Sequence, residues 1–113
     1  MARRKRMSPE DYHRVMDRAT GACEVIASVC VGPVHHFHHR KLRSQGGKDN
    51  SANGLAVCSS CHDYIHMHPA ISYENGWLVK SHSDPEVVAV RRRGRLVRLF
   101  DDGTFEQVPE LVE

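Results

Sequence analysis

Residues 38–66 read HHRKLRSQGGKDNSANGLAVCSSCHDYIH, and four local signals follow one another along them. The β-favouring run Val34–His39 leads in as a short strand. A polar loop, Lys41–Asn53, carries the Gly46-Gly47 pair, and Leu55–Val57 forms a second short strand. From Ser59 or Ser60 the spacing predicts a helix to about Met67, which Pro69 ends because proline has no N–H with which to continue it. Strand, loop, strand and helix thus succeed one another, each too short to bury a core alone.

The same stretch concentrates metal-ligand side chains. On the expected helix His62 and His66 stand at i and i+4, so both imidazoles leave one face about a turn apart and can aim at one ion. His38 and His39 are neighbours on a strand and point to opposite sides. One can hold a metal while the other stays free to accept a proton. Cys23, Cys30, Cys58 and Cys61 are the cysteines of the chain. The CSSC pair has the spacing of a zinc knuckle; the Cys23–Cys30 pair is wider. Together they suit a closed, tetrahedral, all-thiolate structural zinc site.

Outward from this centre the signals are weaker. Ser8-Pro9-Glu10-Asp11 starts a helix with a capping hydroxyl, a proline at the first helical position and acids in the first turn. Tyr12, Val15, Met16 and Ala19 share a face, and Gly21 stops the helix. Residues 1–7 form a basic arm. Beyond Pro69, Trp77–Lys80, Val87–Arg91, Arg95–Phe100 and Phe105–Val108 are short β-favouring runs, separated by turn signals at Asn75-Gly76, Arg93-Gly94 and Asp102-Gly103. The organisation expected is a basic arm (1–7), a zinc-stapled module with its helix (8–69) and a β-rich extension with an acidic tail (70–113).

Composition narrows the function classes. Nine histidines in 113 residues, with only 40% hydrophobic residues, put the excess in ligand chemistry rather than in the core. No run of 18 apolar residues exists, which excludes a membrane-spanning helix of ordinary length. The start MARRKRMSPE has no apolar stretch behind its charges and so does not read as a secretory signal. The expected setting is the cytoplasm, where thiols hold metal rather than form disulfides. Residues 1–100 carry all 16 bases and 9 acids, a balance of +7, while residues 101–113 carry 5 acids and no base. A basic body with an acidic tail fits a polyanionic partner such as nucleic acid. The run Arg91–Arg93 with Arg95 reads equally well as a solvated hairpin or as a phosphate contact.

HHRKLRSQGG at 38–47, N-x-L at Asn53–Leu55 and CSSCHDYIH at 58–66 together resemble the HNH endonucleases, and the cysteine pairs are similar to those of the zinc-containing members found in bacteriophages. The resemblance covers about Cys23 to Pro69. It implies an α+β protein built on a small ββα-metal (His-Me finger) core with a four-cysteine zinc site, an N-terminal helix and a β-rich C-terminal extension. Carried over residue by residue, His38, His62 and His66 are metal ligands, His39 is the general base, and Asn53 ties down the loop and orients that base. His35 and His36 offer a second pair three residues earlier, so the assignment can slip by three; the distance to SQGG and to Asn53 favours His38 and His39. The implied cofactors are a structural Zn²⁺ and one catalytic divalent cation (Mg²⁺, Mn²⁺, Ni²⁺ or Zn²⁺). Arg40, Lys41 and Arg43, beside the base, are the expected DNA phosphate contacts. The implied activity is hydrolysis of DNA phosphodiester bonds by nicking, in a host's cytoplasm and beside phage packaging (terminase) proteins. Two other readings stand at this point: a zinc-stapled DNA-binding or packaging-assembly module without catalysis, and a small cytochrome, since CSSCH is also the pattern of c-type haem attachment.

Overall fold

The computed structural model describes residues 9–110, so the basic arm and the Ser8 cap lie outside the described residues. Helix α1 (Pro9–Ala19) has Glu10 and Asp11 in its first turn and Arg18 in its last, the order that complements the helix dipole. Val15 and Ala19 pack on Ala56, with Met16 partly buried beside them. Tyr12, expected on that face, is exposed, and Arg18 is buried in its stead. The helix stops where Thr20 and Gly21 turn to positive φ, 53° and 81°, the left-handed exit that glycine takes without strain.

Strands β1 (His36–His39) and β2 (Gly54–Val57) pair antiparallel, with His38 opposite Leu55 and His39 opposite Gly54. β1 starts two residues later than expected: the Val34 amide bonds to Gly21 O, and Pro33 forms an isolated bridge with Ala22. Helix α2 (Ser59–Met67) follows β2 directly. Pro69 ends α2 as expected but also opens α3 (Pro69–Glu74), where its missing N–H costs nothing.

Strands β3 (Val90–Arg92), β4 (Arg95–Leu99) and β5 (Phe105–Gln107) form an antiparallel sheet in chain order. Arg93 and Gly94, both at positive φ, make the tight β3–β4 turn. Trp77–Lys80 is not a strand. The amides of Trp77 and Leu78 go to the Ser72 carbonyl and that of Val79 to Arg40 O, so the segment has no ladder to join. Likewise Asn75-Gly76 caps α3 rather than turning a hairpin.

Leu55, Val57 and Ile65 meet Trp77, Val90, Val97 and Leu99 in one buried cluster with Cys23, Cys58 and Cys61. The C-terminal sheet and the metal-ligand module therefore share a core. A buried ion triad joins them further: Glu24, fully buried, accepts from Arg18 Nε at 2.8 Å, Arg92 Nε at 2.6 Å and the Ala56 amide at 2.9 Å. Burial pushes the Glu24 carboxyl up, yet Arg18, the Ala56 N–H and Arg92 together hold it below the usual 4.5. Among the described residues no helix is long and apolar enough to cross a membrane.

Candidate active site

The two halves of the cysteine set come from separate local structures. Cys23 and Cys30 flank a loop closed by Cys23 N–H to Gly32 O and Cys30 N–H to Ala27 O. Cys58 is the N-cap of α2, its sulfur accepting the Cys61 amide at 3.3 Å, and Cys61 lies in the first turn. All four cysteines are free, and their sulfurs lie within 4.8 Å of one another. Cys58 Sγ and Cys30 Sγ are 3.8 Å apart. A disulfide would need about 2.05 Å, whereas a tetrahedron of sulfurs about 2.3 Å from a zinc has edges of about 3.8 Å. Burial raises the Cys58 thiol, but the Val31 and Cys61 amides and the neighbouring sulfurs outweigh it and bring it to about 6, a thiolate at neutral pH. The donor set fits zinc. It also removes the haem reading, because Cys58 and Cys61 converge on two further sulfurs instead of standing apart as an attachment pair.

The second cluster is made by β1 and α2. Cys61 and Ile65 fix the inner face of α2 in the core, which leaves His62 and His66 side by side on the other. Their Nε2 atoms are 3.3 Å apart. His38, buried under β1, completes a set whose ligand atoms lie within 4.8 Å of one another. His38 Nε2 stands 2.7 Å from the Trp77 carbonyl. A carbonyl only accepts, so Nε2 carries the proton and Nδ1 keeps its lone pair for the cluster. Burial drives the His38 imidazole down to about 3, and burial with His66 and His36 nearby lowers His62. Neutral imidazoles are the form a divalent cation takes up. Three nitrogens from two elements suit such an ion while leaving coordination positions for oxygen ligands. Exposed His36 stacks on His62 at 4.6 Å but is not part of the set.

His39 points the other way, as adjacent strand residues must. Its Nε2 lies 2.6 Å from Asp49 Oδ1, and Arg43 Nη2 reaches the same oxygen at 2.8 Å. With Nε2 donating to a carboxylate, the Arg43 Nε at 3.4 Å is a neighbour of the ring and not a donor to it. Asn53, fully buried, makes no side-chain hydrogen bond to His39. Its Oδ1 accepts from the Lys41 amide at 2.7 Å, and its Nδ2 donates to Lys41 O and Lys48 O, both at 2.9 Å. The side chain thus closes the loop that carries Asp49. Gly54, which follows Asn53, has a specific reason to be glycine: a Cβ there would collide with the Phe37 ring, which packs edge-on to His39 at 5.1 Å.

The basic residues divide sharply. Arg43 lies at the surface beside His39, and Lys41 Nζ reaches the Ser83 carbonyl at 3.3 Å, on the rim of a cleft between residues 41–50 and 81–86. Arg40, expected at the DNA surface, is fully buried and donates to the carbonyls of Gly76, Ala52, Pro85 and Val88. Four of its five N–H donors are spent on the fold, and its complete burial keeps the guanidinium out of reach of a phosphate. Arg92 and Arg93 are likewise structural, on Glu24 and on the carbonyls of Cys23, Ala19 and Ala22, while Arg91 pairs with Glu110.

Asp49 and the Trp77 carbonyl were not legible as site groups. Asp49 sits in a polar loop like many others, and a backbone carbonyl 39 residues from His38 leaves no mark in the sequence.

Residues 24–67 match the family model of the HNH endonucleases. The match takes in His38, His39, Asn53, His62 and His66 and leaves out Cys23 and the C-terminal sheet. No curated protein and no solved structure gives a significant match to the chain.

Proposed function

We propose that this chain, whose residues 24–67 match the family model of the HNH endonucleases, hydrolyses phosphodiester bonds in DNA, nicking the double strand, with His39 as general base. The observation that carries the proposal is the division of imidazoles on one strand. His38 is turned into a three-histidine set with His62 and His66, and His39 is turned out of it with one ring nitrogen uncommitted. A divalent cation at the three histidines supplies stabilisation of the negative charge that develops on the scissile phosphate and the leaving oxygen. His39 Nδ1 accepts the proton of the attacking water. The water oxygen bonds to phosphorus, the bond from phosphorus to the leaving sugar oxygen breaks, and that oxygen takes a proton from solvent. Arg43 and Lys41 contact backbone phosphates near the base. Arg40 leaves the set of phosphate contacts. Asn53 acts by holding the loop and touches no reacting atom.

In this reading the four cysteines hold a structural zinc that fixes the start of α2, and with it His62. Work beside phage packaging (terminase) proteins in a host's cytoplasm has the family resemblance as its support.

The test is supercoiled plasmid incubated with Mg²⁺, Mn²⁺ or Ni²⁺, with and without chelator. Conversion to the open circle that stops with chelator is the expected result. A wild-type protein that nicks under none of these conditions removes the catalytic reading and leaves a zinc-stapled binding module. His39→Ala should abolish nicking while retaining metal, and unchanged turnover in that variant removes His39 from the base role.

A further inference from the structure

One oxygen of Asp49 receives both His39 Nε2, at 2.6 Å, and Arg43 Nη2, at 2.8 Å. The proton transfer described above does not use this carboxylate. We infer that Asp49 is a positioning residue that holds His39 as the Nε2–H tautomer, with its bare Nδ1 turned to the attacking water; this rests on the hydrolytic reading. A neutral imidazole has two tautomers and rotates about its own bonds, and only one tautomer in one orientation presents a lone pair where water must be deprotonated. A carboxylate on the opposite nitrogen selects that state, which is how acids orient catalytic histidines on unrelated folds.

The surrounding structure is built to keep Asp49 in place. Asn53 Nδ2 donates to the carbonyl of Lys48, the residue before it. Gly47 N–H bonds to Leu42 O, and a Cβ on Gly47 would run into the Lys41 carbonyl. The loop therefore closes tightly only with glycine there, and closure delivers Asp49 to the edge of β1. On the far side of the carboxylate, Arg43 offsets its charge, so the pair can sit against the imidazole without an unbalanced charge. The His39 ring is backed by Phe37. Asn53 thus has a route to His39 through Lys48 and Asp49.

Four variants test this. Asp49→Ala should lower kcat for plasmid nicking by roughly ten- to hundredfold, with KM within about twofold and Ni²⁺ affinity unchanged. Asp49→Asn, which keeps an acceptor oxygen of the same reach, should fall between Ala and wild type. Should the Ala variant fail to fold, the Asn variant and the wild-type spectrum carry the test. In the proton NMR spectrum a protected, downfield imidazole N–H, identified by its loss in His39→Ala, should vanish in Asp49→Ala and persist in Arg43→Ala. An Asp49→Ala enzyme within twofold of wild type, a loss confined to KM, or an N–H signal indifferent to Asp49 would each overturn the inference. The NMR signal reports on the contact even if wild type nicks nothing, so failure of the nuclease reading and failure of the Asp49 assignment are distinguishable.

Discussion

His38 donates its Nε2 proton to the carbonyl oxygen of Trp77 at 2.7 Å, across 39 residues of chain. The bond commits one ring nitrogen to the fold and leaves the other to the histidine cluster, so His38 enters the site pre-oriented by the C-terminal half of the protein.

Replacing His38 by Ala should weaken Ni²⁺ or Co²⁺ binding at the three-histidine site by at least tenfold, as a lost ligand costs no less than a lost partner of a ligand. Calorimetric titration of the zinc-loaded protein measures it, with zinc content at the cysteines unchanged. Retained full affinity would place the ion elsewhere.

Removal of the other metal should have a different effect. Cys58 caps α2 and belongs to the four-sulfur set, so Cys58→Ser should cost both the zinc and the anchor of the helix. Loss of the cooperative thermal transition, followed by circular dichroism, is expected. A folded, zinc-free variant would contradict the structural role.

Glu24→Gln tests the buried triad. It leaves Arg18 and Arg92 with an uncompensated charge in the interior, a change that costs about 3–5 kcal/mol. Urea melts at neutral pH give the value. The sign with pH follows from a carboxyl held below 4.5: its contribution is complete above that value and is lost as pH falls through the lower folded-state value. The Gln variant should lose less stability than wild type over that acid range.

At Gly54 the prediction is steric. Gly54→Ala should destabilise by about 1–3 kcal/mol through its collision with Phe37. Phe37→Leu in the same chain should return part of that loss, the coupling expected of residues in contact. Strict additivity of the two changes in denaturant melts would remove the collision as the cause.

Arg40 and Arg43 should part company when each is changed to Ala. Arg40→Ala frees four carbonyls, two of them on buried residues and two on partly buried ones, and should lower the melting temperature sharply. Arg43→Ala should leave the melting temperature nearly unchanged, weaken DNA binding and lessen the salt dependence by about one counterion in a fluorescence titration. Equal effects of the two on affinity, with both proteins folded, would return Arg40 to the DNA surface.

What could be read along the chain is what depends on neighbours in sequence. The alternation of β1 sends His38 and His39 to opposite sides, the α2 period brings His62 and His66 together, and CSSC has a spacing that only a few chemistries use. These follow from backbone geometry over a handful of residues, and the observed strands and helix lie within two residues of where that geometry puts them. The fate of the arginines could not be read in this way. Arg40 and Arg43 look alike in sequence, yet one is sealed under four carbonyls and the other lies on a carboxylate at the surface. Trp77–Lys80 has the composition of a strand, but its amides are claimed by Ser72 and Arg40 before any ladder can form. Asp49 meets His39 across a loop that Asn53 helps to close through the Lys48 carbonyl. The local elements and the metal-ligand pattern were thus determined by residue type and spacing. Which charges are buried, which nitrogen of His38 is left to the cluster and which acid meets His39 were decided by tertiary contacts, since burial and hydrogen-bond partnership depend on groups ten to seventy residues apart, and no local periodicity encodes them.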